Sequence, residues 1–91
     1  MKKNIEKISD DAVSQLADIG QLIRQHRKSF KITANAAAET AGISRVTLHR
    51  IEKGEPTVSM GAYLNVISAL DLSLHLSAKT DIESTANADS V

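Results

Sequence analysis

From Asp11 to about Arg27, the apolar residues Ala12, Leu16, Ile19 and Ile23 step by four, three and four positions. That spacing is one buried stripe on an amphipathic helix, which Ser9 or Asp10 is placed to cap. The Ala-rich run Ala34 to Ala41 lies between Thr33, a good N-cap, and Gly42, able to take the left-handed conformation that ends a helix. A second, short helix is predicted there. Ser44 caps a third, with Ile43 just outside packing on Leu48 inside as a hydrophobic staple, and Gly54 and Pro56 stop it after about Lys53. Val58, Ser59 and Tyr63 repeat the arrangement, and Tyr63, Leu64, Ile67 and Leu70 form the inward stripe of a fourth helix. Gly20 and Gly61 fall inside predicted helices, where glycine marks close backbone approach.

After Asp71 the period changes from 3.6 to two. Leu72, Leu74 and Leu76 alternate with Ser73, His75 and Ser77, so three leucines share one face of an extended strand. No other segment reads as a strand, and a lone one leaves a row of backbone donors and acceptors unpaired. Antiparallel pairing across the two-fold axis of a homodimer answers the problem. Residues 72–79 are therefore expected to be a dimerisation strand built on Leu72, Leu74 and Leu76. The alternative is that the fourth helix frays into an extension whose leucines cap the monomer's own core. The resulting organisation is a flexible N-terminal arm over 1–9, a helical domain over 10–71, the strand, and a polar, acidic tail over 80–91 expected to be disordered. That tail is either a solubilising end or a segment that orders on a protein partner.

Ninety-one residues allow one small core, and only two of them, Phe30 and Tyr63, are aromatic. Close packing on small and branched side chains must serve, and a core so modest is commonly supported by oligomerisation. With no cysteine, disulfides, thiol nucleophiles and Cys-based metal sites are excluded. No apolar run approaches the roughly 20 residues of a membrane helix, and no signal peptide follows Met1, so the expected location is cytoplasmic, with no membrane partner. His26, His49 and His75 stand more than twenty residues apart, which offers no helical metal pair. Neither a Ser, His and carboxylate grouping nor a glycine-rich phosphate loop is present. The expectation is therefore a protein without catalytic residues, cofactor or metal.

Formal net charge is zero, yet it is unevenly spread. Residues 24–53 hold seven basic and two acidic side chains, while 71–91 hold one basic and four acidic. Winding the third helix at 100° per residue gathers Arg45, Val46, His49, Arg50 and Lys53 into an arc of roughly 140°, with Thr47, Leu48 and Ile51 on the other side. One face is cationic and the other apolar. Such a helix fits a DNA major groove, where arginine donates two parallel hydrogen bonds to guanine and a valine touches a thymine methyl.

The stretch from Thr33 to Gly54, with AETAGISRVTLHRIEKGE at its heart, resembles the lambda-repressor-like helix-turn-helix family, the Xre or Cro type. The Ala-Gly-Ile-Ser turn, the Ser-Arg-x-Thr-Leu opening of the recognition helix and the Ile-Glu-Lys-Gly-Glu exit carry the resemblance, which extends from about Leu16 to Leu72. With its added leucine-alternating segment the chain is most similar to HipB-type antitoxins, dimeric operator-binding repressors that also bind a HipA-type toxin kinase. The resemblance implies an all-α bundle of four to five short helices whose strand pairs across a dimer, bound to a double-stranded DNA operator. It further implies base or groove contacts from Ser44, Arg45, Val46, Thr47, His49 and Arg50, and phosphate contacts near Arg24, Thr33 and Lys53. One departure is Ala34, where the family commonly has Gln, so a usual contact at the start of the second helix is missing. Ala36, Ala37 and Ala41 are also smaller than the family's common aliphatics. Two other readings stay open: a stand-alone phage-type or autoregulatory repressor, and a protein-binding adaptor that kept the fold and lost DNA binding.

Overall fold

A computed structural model of the protein describes residues 7–78. Those residues form four helices: α1 (Asp10–Ser29), α2 (Ala34–Ala41), α3 (Arg45–Glu52) and α4 (Met60–Ala69). Each starts at a hydroxyl. Ser9, Thr33, Ser44 and Ser59 accept a hydrogen bond from the backbone N–H three residues on, at 3.0–3.1 Å. Such a bond satisfies one of the donors that every helix start leaves orphaned, a contribution of about 1 kcal/mol each.

The ends follow local chemistry as well. α1 runs two residues past the expected Arg27, to Ser29, and the chain then turns through Lys31 at φ 59°. α2 ends where Gly42 adopts φ 73°, and the Ile43 N–H donates to the Ala38 carbonyl at 2.9 Å. That closure aims the chain from α2 into α3.

Ile23 of α1, three alanines of α2 (Ala37, Ala38, Ala41), Leu48 and Ile51 of α3, and Tyr63, Val66, Ile67 and Leu70 of the α4 region make the core. The small side chains of α2 let it pack on both α3 and α4. Among the described residues this core buries no polar or charged residue apart from Tyr63, whose hydroxyl donates to the Glu55 carbonyl at 2.8 Å. Gly20 accounts for the fit of α1 on α3, because a Cβ there would stand 2.7 Å from the Glu52 carbonyl oxygen. Gly61 differs from expectation: it is exposed, and a Cβ would find only ordinary contact at 3.9 Å. Leu64, expected inward, is 41% exposed, because α4 turns it toward the groove beside Leu16 and Met60.

Past Asp71, residues 72–78 form no ladder, and no strand occurs among the described residues. Leu72 packs against the core, Leu74 lies over the groove between α1 and α4, and Leu76 is 90% exposed. The leucine face is thus shared: its start covers the chain's own core and its far end stands in solvent. The bundle has four helices among the described residues, and residues 1–6 of the expected arm, residue 79 and the tail over 80–91 lie outside them.

Candidate nucleic-acid interface

α3 divides cleanly between two faces. Leu48 and Ile51 are buried at 1% and 0% exposure, whereas Arg45, Val46, His49, Arg50 and Lys53 are exposed. Val46 reaches 64%, and a branched aliphatic left so open suits contact with a methyl group in a groove. Ser44 Oγ accepts from the Thr47 N–H at 3.1 Å and donates to Thr47 Oγ1 at 3.0 Å. Ser44 is exposed, while Thr47 is half-buried with its hydroxyl engaged in the cap. Thr33 is similarly exposed at the start of α2, its side chain accepting from the Ala36 N–H.

A cleft of about 460 Å³ opens between α1, α2 and α3, lined by Arg24, Ala34, Arg45, His49, Glu52 and Lys53 among others. The structure therefore brings Arg24, from α1, to the same hollow as the cations of α3. Ala34 forms part of its wall.

Arg27 has a role that sequence reasoning missed. It counts among the basic residues of the 24–53 region, but its guanidinium is turned inward onto Glu52. Nε donates to Oε2 at 2.7 Å, Nη2 donates to Oε1 at 3.1 Å, and Nη1 donates to the Ile32 carbonyl at 2.9 Å. The side chains are only 12% and 7% exposed. The hydrogen bond to Glu52 raises the Arg27 pKa, burial opposes it and Coulomb attraction to Glu52 adds to the rise, so the group stays charged. This bidentate pair clamps the end of α1 to the end of α3. No local signal announces it, since the partners are 25 residues apart. Arg24 Nε stands 3.8 Å from the same carboxylate with its side chain 56% exposed, so it keeps a path to the cleft mouth.

At the opposite edge, Arg50 Nε lies 4.0 Å from Glu55 Oε1, both side chains well exposed. Among the described residues, no carboxylate lies within ion-pair distance of Arg45 or Lys53. Their charges are directed at solvent. Nothing among the described residues groups three or more His, Cys, Asp or Glu side chains about a metal position. His26 Nε2 sits 3.0 Å from the Leu70 carbonyl, joining the ends of α1 and α4. No helix in the described residues is long and apolar enough to cross a membrane.

Comparison with known proteins adds to this geometry. A family described as a helix-turn-helix domain matches residues 18–79. An uncharacterized HTH-type transcriptional regulator, y4mF, of Sinorhizobium fredii (strain NBRC 101917 / NGR234) is 34% identical over 62 residues, covering 68% of this chain and 82% of the relative. Among solved structures, the restriction-modification controller protein C.AhdI of Aeromonas hydrophila is similar with TM-score 0.58 and 27% identity, over 66% of this chain and 91% of that one. HipB carrying an S29A substitution, solved in complex with an O2 20mer, is similar with TM-score 0.67 over 85% of this chain and 100% of its own. At 17% identity, that second likeness is one of fold.

Proposed function

The chain belongs to the lambda-repressor-like helix-turn-helix family of DNA-binding transcriptional regulators, and on that premise we propose that it is a sequence-specific repressor. α3 enters the major groove with Arg45 and Arg50 donating to base edges and Val46 and His49 between them. Arg24, Lys53 and the α2 start at Thr33 lie to the sides, placed for phosphates that set register without reading sequence. The observation that carries this reading is the division of α3: two aliphatic side chains hold it to the core and every cation on it faces out. Repression is by occupancy of a site overlapping a promoter, in the cytoplasm.

Two copies act together in this reading. Residues 72–79 pair antiparallel with their counterparts, so that the solvent-exposed Leu74 and Leu76 are covered, and the two α3 helices meet major grooves about one turn, roughly 34 Å, apart. Leu76→Lys then keeps the protein monomeric at concentrations where the wild type sediments as a dimer. A dimer unaffected by that change places the interface elsewhere.

The finer proposal is an antitoxin that represses its own operon and binds a HipA-type kinase. Its support is the fold likeness to HipB, which spans all of that chain. A stand-alone autoregulatory controller is the second reading, favoured by the 27% identity to C.AhdI. Co-purification with a kinase-like protein encoded beside it selects the first, and purification alone from the native host selects the second.

The test of DNA binding is titration of duplexes recovered by genomic pull-down, at low and at moderate salt. Phosphate neutralisation demands a steep fall of affinity with salt. Flat affinity for every duplex favours a protein-binding adaptor instead.

A further inference from the structure

We infer that Glu55 is a positioning residue for base readout by Arg50. The inference rests on the DNA-binding reading above and concerns the same surface. Glu55 lies three residues beyond the end of α3 with both main-chain polar atoms tied down. Its N–H donates to the Arg50 carbonyl at 3.0 Å, and its carbonyl accepts from the buried Tyr63 hydroxyl at 2.8 Å. Gly54 at φ 76° sets the turn before it, and Pro56 follows. The root of the side chain is thus anchored to the core while its carboxylate projects to the surface beside Arg50.

The approach is to one edge of the guanidinium. The carboxylate lies 4.0 Å from Nε, an ion pair longer than a hydrogen bond, with the two side chains 54% and 41% exposed. Exposed pairs of this kind add little to folding. Their effect is on direction: a carboxylate on the Nε side leaves the terminal Nη1 and Nη2 donors for a guanine O6 and N7. A negative charge at the same edge repels the phosphates met when α3 lies on the wrong sequence. Both effects separate specific from non-specific binding, and neither asks Glu55 to touch DNA.

Glu55→Gln tests this, because it keeps the shape and both main-chain hydrogen bonds and removes only the charge. Duplexes selected from a random pool by the wild-type protein provide the probe, together with versions altered at each base pair and an unrelated duplex. In the variant, binding to the unrelated duplex tightens, and the ratio of specific to non-specific affinity falls roughly fivefold to tenfold, the size of one good base contact. Preference flattens at the base pair that Arg50→Ala also relaxes, and in the Arg50→Ala background the Glu55→Gln change no longer alters it. Melting temperature is unchanged, which Glu55→Asp, shorter but still charged, should share while restoring part of the preference. Uniform tightening on all duplexes with every base preference intact overturns the inference and leaves Glu55 a plain surface charge. Wild-type protein that selects no duplex overturns the DNA-binding reading as well, so the two failures are told apart.

Discussion

Two of the arginine–glutamate pairs at the C-terminal end of α3 are opposites. Arg27 and Glu52 meet through two short hydrogen bonds with side chains 12% and 7% exposed, while Arg50 and Glu55 stand 4.0 Å apart with side chains 54% and 41% exposed. The same two residue types serve as a fastener in one place and, in the other, as part of the surface proposed to read DNA. Burial decides between them, because a desolvated charge is tolerated only with its partner in place, whereas a solvated one is free to exchange partners.

The largest break expected is at the fastener. Glu52→Ala strands the Arg27 guanidinium in a part-buried site, a loss of about 3–5 kcal/mol of stability that urea unfolding measures. Replacing both partners by apolar residues of similar volume recovers most of it. On the proposed reading surface, Arg45→Ala leaves unfolding unchanged but costs about 1–3 kcal/mol in affinity for the preferred duplex and relaxes one base position. Equal loss of stability and affinity there erases the contrast. Lys53→Ala weakens binding to all duplexes alike and lowers the salt slope by about one, as a phosphate contact does.

Smaller effects sharpen the picture. Ser59→Ala, far from either pair, costs about 1 kcal/mol by removing the α4 cap, seen in thermal melting. Burial, and after it the charge of Glu55, raises the Tyr63 pKa above its ordinary value of 10.0. A raised folded-state value means stability complete below the unfolded-state value and lost as pH climbs through the folded one. Stability therefore falls above about pH 10, and Tyr63→Phe removes that part of the alkaline decline.

What was legible beforehand was local. Ser9, Thr33, Ser44 and Ser59 each reveal a helix start because cap and donor are three residues apart, and Gly42 reveals an end because its own φ does the work. The outward arc of α3 follows from helical winding alone, so Arg45, Val46, His49 and Arg50 were identifiable as one face. Arg27 was not, since its meaning depends on a residue 25 positions away. Nor was the solvent exposure of Leu64, which turns on how α4 is rotated against α1. Leu72, Leu74 and Leu76 alternate along the sequence, yet residues 72–78 form no strand and the three leucines have unequal surroundings, because periodicity names a face and not what covers it.

The way α3 is held has a bearing on how such a protein acquires new targets. Leu48 and Ile51 bind it to the core from beneath, and Gly20 lets α1 lie directly on its terminal carbonyls. None of Arg45, Val46, His49 or Arg50 belongs to that scaffold. Under the proposed DNA-binding reading, a library randomised at those four positions changes the target without refolding the chassis.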